Sequence, residues 1–260
     1  MGSGKKGIVK VGCSGFHYEH WKGPFYPGDL DERSFLDYYS KRFSTVELNV
    51  TFYRLPEREA FVKWYCDTPE DFIFSLKGSR FITHVKKLRS FEEPLEVFFS
   101  RVLLLREKLG PILWQLPPNL SYNRERFKAF LEGLRKYRVR NVFEFRHDSW
   151  IKKEVFQILE KENYAICMAD WPDFLKELPP TADFVYIRRH GHGTYADCYS
   201  HDELKADARL INDFLKQKKD VYIYFNNDAN GYAPKNALEL MGLLKIKRPP
   251  VKKTICKPER

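Results

Sequence analysis

Short apolar runs recur along the chain at residues 8–14, 45–51, 72–76, 111–116, 141–145, 164–169, 184–187 and 221–225, and in 45–51 and 141–145 polar residues alternate with the apolar ones. Runs of this length, rich in β-branched and aromatic residues, predict buried strands. Between these runs the period lengthens to that of a helix. Residues 31–43 carry Phe35, Leu36, Tyr39 and Phe43 on one side, and residues 94–109 carry Leu95, Phe98, Val102 and Leu105. Residues 57–68, 123–138, 152–161 and 234–245 read the same way, and 173–178 is a poor, short helical segment. Ser200, followed three residues later by Glu203, fits a capping box and opens a helix running to about residue 218. Eight strands alternating with eight helical stretches in 260 residues predict an α/β fold, a single (β/α)8 TIM-type barrel over residues 11–245. A doubly wound open sheet is the alternative, but no G-x-G-x-x-G follows the first strand.

In such a barrel the chemistry gathers where the strands finish. In residues 141–150, Glu144 and Arg146 share one strand face while Phe143 and Phe145 share the other. An acid and a base on a buried face are costly without partners. Other strands end similarly: Glu47 and Asn49; Lys77, with Arg80 and His84 beyond it; Gln115; Asp170; Arg188 and His190; Asn226, Asn227 and Asp228. Any one of these reads equally well as half of a structural ion pair, whereas convergence from seven strands exceeds what packing asks for. Glu47 and Glu144 are read as acid and base, assisted by His147 and Asp170. Lys77, Arg146 and Arg188 form an anion clamp that also neutralises the acids. Asn49, Arg80, His84, Gln115, His190, Asn226, Asn227 and Asp228 complete the ligand-binding set.

Charge changes the picture less than its size suggests. The chain carries a net charge of +10, of which residues 245–260 hold +6 and residues 1–10 hold +3, so the body is close to neutral. The domain reading is therefore a basic lead-in (1–10), the barrel, and a basic tail (246–260), with both ends solvated and mobile. Such a tail offers nucleic acid a non-specific grip. No run has the length and apolarity of a membrane span or a secretory leader. Five scattered cysteines without a C-x-x-C pair argue against a disulfide framework and for a reduced, cytoplasmic protein. The loop 15–30, crowded with aromatic residues, either covers one end of the core or forms a stacking wall for a planar ligand.

Several motifs carry little. Asn226-x-Asp228-x-Asn230-Gly231 imitates the start of an EF-hand, but Ala237 stands where the bidentate Glu belongs. The amino-terminal GSGKKG is too short for a P-loop. His190-Gly191-His192 offers two metal ligands in a setting that suits a glycine-rich loop equally; no recognised spacing indicates a divalent metal, and the cofactor is unknown. Cys13 is the sole candidate thiol, without a base beside it in sequence.

Gly12-Cys13-Ser14-Gly15-Phe16, with Tyr18, Trp21 and Phe25-Tyr26-Pro27, resembles the opening signature of the YecE-like family, domain of unknown function 72. So do Thr45-Val46-Glu47 with Asn49 and Thr51-Phe52-Tyr53-Arg54, Gln115-Leu116-Pro117-Pro118, Glu144-Phe145-Arg146-His147 with Ser149-Trp150, and Tyr224-Phe225-Asn226-Asn227-Asp228. The resemblance runs from about residue 11 to 240; Cys13 and Phe16 depart from the usual Thr and Trp, which weakens any role for Cys13 as a nucleophile. It implies a TIM-type barrel and supplies no reaction. The expectation is an enzyme of hydrolase or isomerase/lyase type, acting by acid–base chemistry on a small phosphate- or carboxylate-bearing sugar or nucleotide. The alternatives are a nucleic-acid-binding or nuclease-like barrel, similar by fold alone to apurinic endonucleases, and a non-catalytic ligand sensor.

Overall fold

The computed structural model describes residues 7–247 and Thr254. Eight parallel strands, β1 Val9–Cys13, β2 Thr45–Leu48, β3 Ile73–Lys77, β4 Leu109–Leu116, β5 Asn141–Phe145, β6 Ala165–Ala169, β7 Phe184–Arg189 and β8 Asp220–Phe225, pair with their neighbours in the order β1-β8-β7-β6-β5-β4-β3-β2. The ring closes just beyond β1, where Ser14 bridges Glu47 and the Gly15 amide donates to the Glu47 carbonyl at 2.8 Å. This is the TIM-type barrel that the alternation predicts.

The helices are α1 Phe35–Ser40, α2 Val50–Tyr53, α3 Arg58–Asp67, α4 Glu92–Val102, α5 Arg124–Arg135, α6 Lys153–Glu162, α7 His201–Lys216 and α8 Tyr232–Leu243. The Ser200–Glu203 capping box is formed at the start of α7. Only a 3-10 turn, Asp173–Leu175, stands between β6 and β7.

Four expectations on local structure are corrected. The second strand stops at Leu48, not Thr51, because the Thr51 hydroxyl donates to the Lys77 carbonyl at 2.7 Å and the chain coils into α2. The helix expected over 31–43 starts as a 3-10 turn, Glu32–Ser34, capped by the Asp31 carboxylate, and its α-helical part ends at Ser40. The helix expected over 94–109 gives way after Val102 to a 3-10 segment with Arg106 at a φ of 50°, and β4 begins at Leu109. Finally, Cys66 is disulfide-bonded, whereas Cys13, Cys167 and Cys198 are free thiols.

Alternation sorts each strand's side chains between two cores. Outward residues such as Phe74, Trp114, Phe143 and Phe145 join the helices in the larger core, while Leu113, Val142, Cys167, Tyr186, Tyr222 and Tyr224 fill the barrel interior. The inward polar residues lie nearer the strands' carboxyl ends. Most of the aromatic loop belongs to the core: Trp21 is 0% exposed and Tyr26 stacks on Phe35 at 4.1 Å, so the loop mainly covers the barrel, with Tyr18 left at the strand ends. Most of the basic lead-in and tail, including Lys5, Lys6 and residues 248–253, lies outside the described residues. Thr254, within the tail, is docked: its hydroxyl donates to the Thr68 carbonyl at 2.9 Å and accepts from Lys108 Nζ at 2.5 Å. At that point the tail is not the free segment its charge suggests.

Candidate functional site

Arg188 is the centre of the site. Strand β7 alternates Phe184, Tyr186 and Arg188 inward, and Arg188 is 1% exposed. Its Nη1 donates to Glu144 Oε2 at 2.7 Å, and its Nη2 to Glu47 Oε1 at 2.8 Å and Ser14 Oγ at 3.3 Å. Glu47 also accepts from the Ser14 hydroxyl and from Tyr186 Oη at 2.6 Å. Glu144 pairs with Arg146 and accepts from Gln115 Nε2 at 3.1 Å. Both glutamates are 0% exposed. Burial alone would push the Glu144 carboxyl up, but the Arg188 and Arg146 guanidiniums outweigh it and hold the group well below the usual carboxylate range. Each charge of this glutamate–arginine network therefore has a partner, which is the condition for tolerating it.

Above this network opens a cavity of about 550 Å³, lined by residues from the ends of several strands. Its cations are Lys77, Arg80 and Arg188, its amides Asn49, Gln115 and Asn226, and its rings Tyr18, Phe52, Tyr53 and Tyr195, with His84 on the same wall. Larger grooves, of about 780 and 790 Å³, lie on the outside of the barrel near Gly7 and α7 and beside α7. The strand-end cavity is the better candidate because buried charges from β2, β3, β5 and β7 converge beneath it.

Lys77 is 8% exposed, and its Nζ sits 4.3 Å from the centroid of Phe52. No acceptor among the described residues is within hydrogen-bonding distance of that nitrogen. Burial and the Arg188 charge push its ammonium down to about 8. His84 is likewise pushed down to about 4, by burial and by the Lys77 and Arg80 charges. Its Nδ1 is 2.9 Å from Thr83 Oγ1, so the opposite ring edge is left for the cavity. His84 is expected to stay neutral throughout physiological pH: its ring resonances in an NMR titration should not move between about pH 8 and pH 5. A midpoint near 6.5, the ordinary histidine value, would mean the cations do not reach it.

His190 is 0% exposed, with Nδ1 at 3.1 Å from Asn226 Nδ2 and Nε2 at 3.7 Å from Glu144. Burial and Arg188 lower its pKa, so it lies neutral between its partners. The guanidinium of Arg146 faces the Trp171 ring at 4.6 Å. Gly193 gives that ring room: its φ is 91°, and a Cβ there would stand 2.6 Å from the indole.

The structure thus brings together Glu47, Asn49, Lys77, Arg80, His84, Gln115, Glu144, Arg146, Arg188, His190 and Asn226. It places four of the expected residues elsewhere. His147 Nδ1 accepts from the Ser149 amide at 3.1 Å and caps a 3-10 turn. Asp170 accepts from the amides of His190 at 2.7 Å and His192 at 3.1 Å and from the Tyr199 hydroxyl, and it faces the groove beside α7, so it ties down the loop after β7. Asn227 is spent on the Asp197 carbonyl and on Asn236. Asp228 offers its carbonyl to Trp21 Nε1 at 2.9 Å and its half-buried carboxylate to His20. Cys13 is fully buried, and burial pushes its thiol far up, which removes it as a nucleophile. Ser14, Tyr186, Trp171 and Tyr195 stand at the site without being among the expected residues, and Tyr18 stands there from the aromatic loop. Ser14 and Tyr186 were legible in principle, since Tyr186 alternates with Arg188 and Ser14 ends β1. Among the described residues no group of three or more His, Cys, Asp or Glu side chains could hold a metal ion, and no helix is long and apolar enough to cross a membrane.

Fold and site together define a TIM-type barrel protein whose strand ends carry a buried glutamate–arginine network beneath a polar cavity. The chain belongs to the family described as "Protein of unknown function DUF72", whose model matches residues 10–259. The resemblance read from the motifs therefore holds. UPF0759 protein YunF of Bacillus subtilis (strain 168) is 26% identical over 274 residues, covering 92% of this chain and 95% of that one. UPF0759 protein YecE of Escherichia coli (strain K12) is 34% identical over 82 residues, 32% of this chain and 30% of that one. A DUF72 crystal structure from Thermotoga maritima superposes with a TM-score of 0.80 at 32% identity, over 92% of this chain and 99% of that one. A D-psicose 3-epimerase structure, at 10% identity and a TM-score of 0.57 over 92% of this chain and 98% of that one, shares the fold.

Proposed function

We propose that this protein is an enzyme that binds a small organic anion, phosphate- or carboxylate-bearing, in the strand-end cavity and moves a proton on it. The observation that carries the reading is the charge balance. Arg188 and Arg146 neutralise Glu47 and Glu144, which leaves Lys77, nearly buried and without an acceptor, and Arg80 as surplus positive charge in the cavity. An anion resolves that surplus. Three neutral amides beside it suit hydroxyl or carbonyl groups on the same ligand.

Glu47 and Glu144 do not line the cavity, and their oxygens are engaged by arginines, Ser14, Tyr186 and Gln115. In this proposal they pass from acid and base to positioning residues that fix Arg188 and Gln115. Proton transfer falls to Lys77 and the neutral His84, which do line it. A neutral imidazole is in the form that accepts a proton, the role of a general base. The nucleic-acid alternative loses most of its aromatic stacking wall to the core.

The test is a thermal-shift and calorimetry panel of phosphosugars, hydroxy acids and nucleotides. A specific ligand is expected to raise the melting temperature. Arg80→Ala, an exposed position, should weaken its affinity by about tenfold without changing the unliganded melting temperature. An anionic panel that leaves the protein unstabilised, or affinity indifferent to Arg80, counts against the proposal.

A further inference from the structure

We infer that Lys77 is an amine nucleophile that joins an anionic aldehyde or ketone through a carbon–nitrogen double bond, so that the ligand class is a carbonyl compound bearing phosphate or carboxylate. This rests on the anion-binding reading above and extends it to a covalent step.

Three features of Lys77 support it. Its Nζ ends β3 at the cavity wall, nine-tenths buried, with an aromatic face at 4.3 Å and no hydrogen-bond acceptor among the described residues. A lysine whose task was structural would place its ammonium on a carboxylate or on carbonyls, as Lys108 does on the Tyr65 and Thr68 carbonyls. The two carboxylates beneath Lys77 are instead bound to Arg188. Burial and neighbouring guanidiniums also favour the uncharged amine, the form that attacks carbonyl carbon.

The step balances without an oxidant or reductant. The Nζ lone pair bonds to the carbonyl carbon as the carbon–oxygen π pair moves onto oxygen, and a proton passes from nitrogen to that oxygen to give a neutral carbinolamine. The hydroxyl takes a second proton, from solvent, and leaves as water while the nitrogen lone pair closes the double bond of the protonated imine. Its positive charge draws electron density from the adjacent carbon, whose proton the neutral edge of His84 can accept to leave an enamine. Return of that proton to carbon restores the imine, and addition of water then releases the carbonyl compound, the free amine and a proton. Arg80 and Arg188 hold the anionic group meanwhile, and Asn49, Gln115 and Asn226 orient hydroxyls.

The experiment is reductive trapping on the full-length chain. Dihydroxyacetone phosphate, glyceraldehyde 3-phosphate and pyruvate are each incubated with the protein near pH 7.5, reduced with borohydride, and located by peptide mass spectrometry. At least one probe is expected to label Lys77 on the order of 100-fold faster than surface lysines, from the larger fraction of free amine. Glycerol 3-phosphate, which binds as an anion but has no carbonyl, should slow the labelling by phosphate-bearing probes. Lys77→Arg, which keeps a cation but has no nucleophilic amine, should lose the fast label while its surface lysines label as in the parent.

Labelling of Lys77 no faster than that of surface lysines with all three probes overturns the inference. If glycerol 3-phosphate still raises the melting temperature in that case, the anion site stands and only the covalent step fails. If neither it nor any carbonyl probe binds, the reading on which the inference rests fails with it.

Discussion

Arg188→Ala is expected to cost the barrel about 3–5 kcal/mol, the range for breaking a buried ion pair by removing one partner. For a chain of 260 residues that is a fall in melting temperature of roughly 6–20 °C. The size follows from what remains. Glu47 and Glu144 are both 0% exposed, and without Arg188 the one arginine left is Arg146, which pairs with Glu144 and leaves Glu47 without an ion pair. Tyr186 and Ser14 still donate to Glu47, but neutral hydroxyls do not cancel its charge. Arg188→Lys should recover little, since one ammonium cannot match the two-sided fork that reaches both glutamates. The pH dependence separates this account from simple loss of packing. In the parent, Glu144 titrates below its unfolded value, so its contribution is present above the usual carboxylate range and is lost as pH falls through the lower folded value. In Arg188→Ala the main charge that offsets burial at Glu144 is gone and its carboxyl is pushed above its unfolded value, so the variant should gain stability as pH falls from about 7 to 5. Urea denaturation at several pH values measures both slopes. A variant within about 1 kcal/mol of the parent, with a parallel pH profile, would show that the network is not closed as described.

The fold was legible because alternation is a local property. The run Asn141–Phe145 is the strand found, with Glu144 inward and Phe143 and Phe145 packed outward against Phe127 and Trp150. The same rule separates Arg188 from Arg189, which turns outward to Asp207 of α7. Partnership was not legible. Arg188 meets Glu47 across 141 positions and Glu144 across 44, and nothing in either segment names the other. Depth was hidden for the same reason: sequence puts the glutamates at strand ends but does not say that they lie beneath the cavity floor while Lys77 and His84 line it. Loop geometry misled in other ways. Asp170 and His147 follow strands as catalytic residues do, yet one is consumed by backbone amides of the loop after β7 and the other by a turn of its own segment. Where the chain leaves a strand, a single hydrogen bond, donated by Thr51 or accepted by His147, decides the local path, and hydrophobic patterning is blind to it.

The second large effect lies behind the site. Trp114→Ala is expected to cost about 3–5 kcal/mol, the usual price of deleting a buried large aromatic side chain. Trp114 is 0% exposed on the outward face of β4, edge-on to Phe130 at 5.2 Å and 5.6 Å from Phe98, with Nε1 donating to Asn141 Oδ1 at 2.8 Å. Deletion opens a cavity between β4 and helices α4 and α5 and strands the Asn141 oxygen, so transfer and hydrogen-bond losses add. The indole also backs Gly78, the residue after Lys77: a Cβ on Gly78 would stand 2.3 Å from the ring, so only glycine lets the backbone lie so close. Gln115, the next residue along β4, points the opposite way into the site. The ring therefore braces the segments that present Lys77 and Gln115 to the cavity. Its loss should weaken binding of whatever anion stabilises the parent, measured by calorimetry well below the variant's melting temperature, as well as lower the urea midpoint. If stability falls and affinity does not, the β3–β4 ladder alone, including the Gly78 amide on the Leu113 carbonyl at 2.8 Å, suffices to hold Lys77 in place. If both fall, packing on the outer face of the barrel sets the geometry of the chemistry within it.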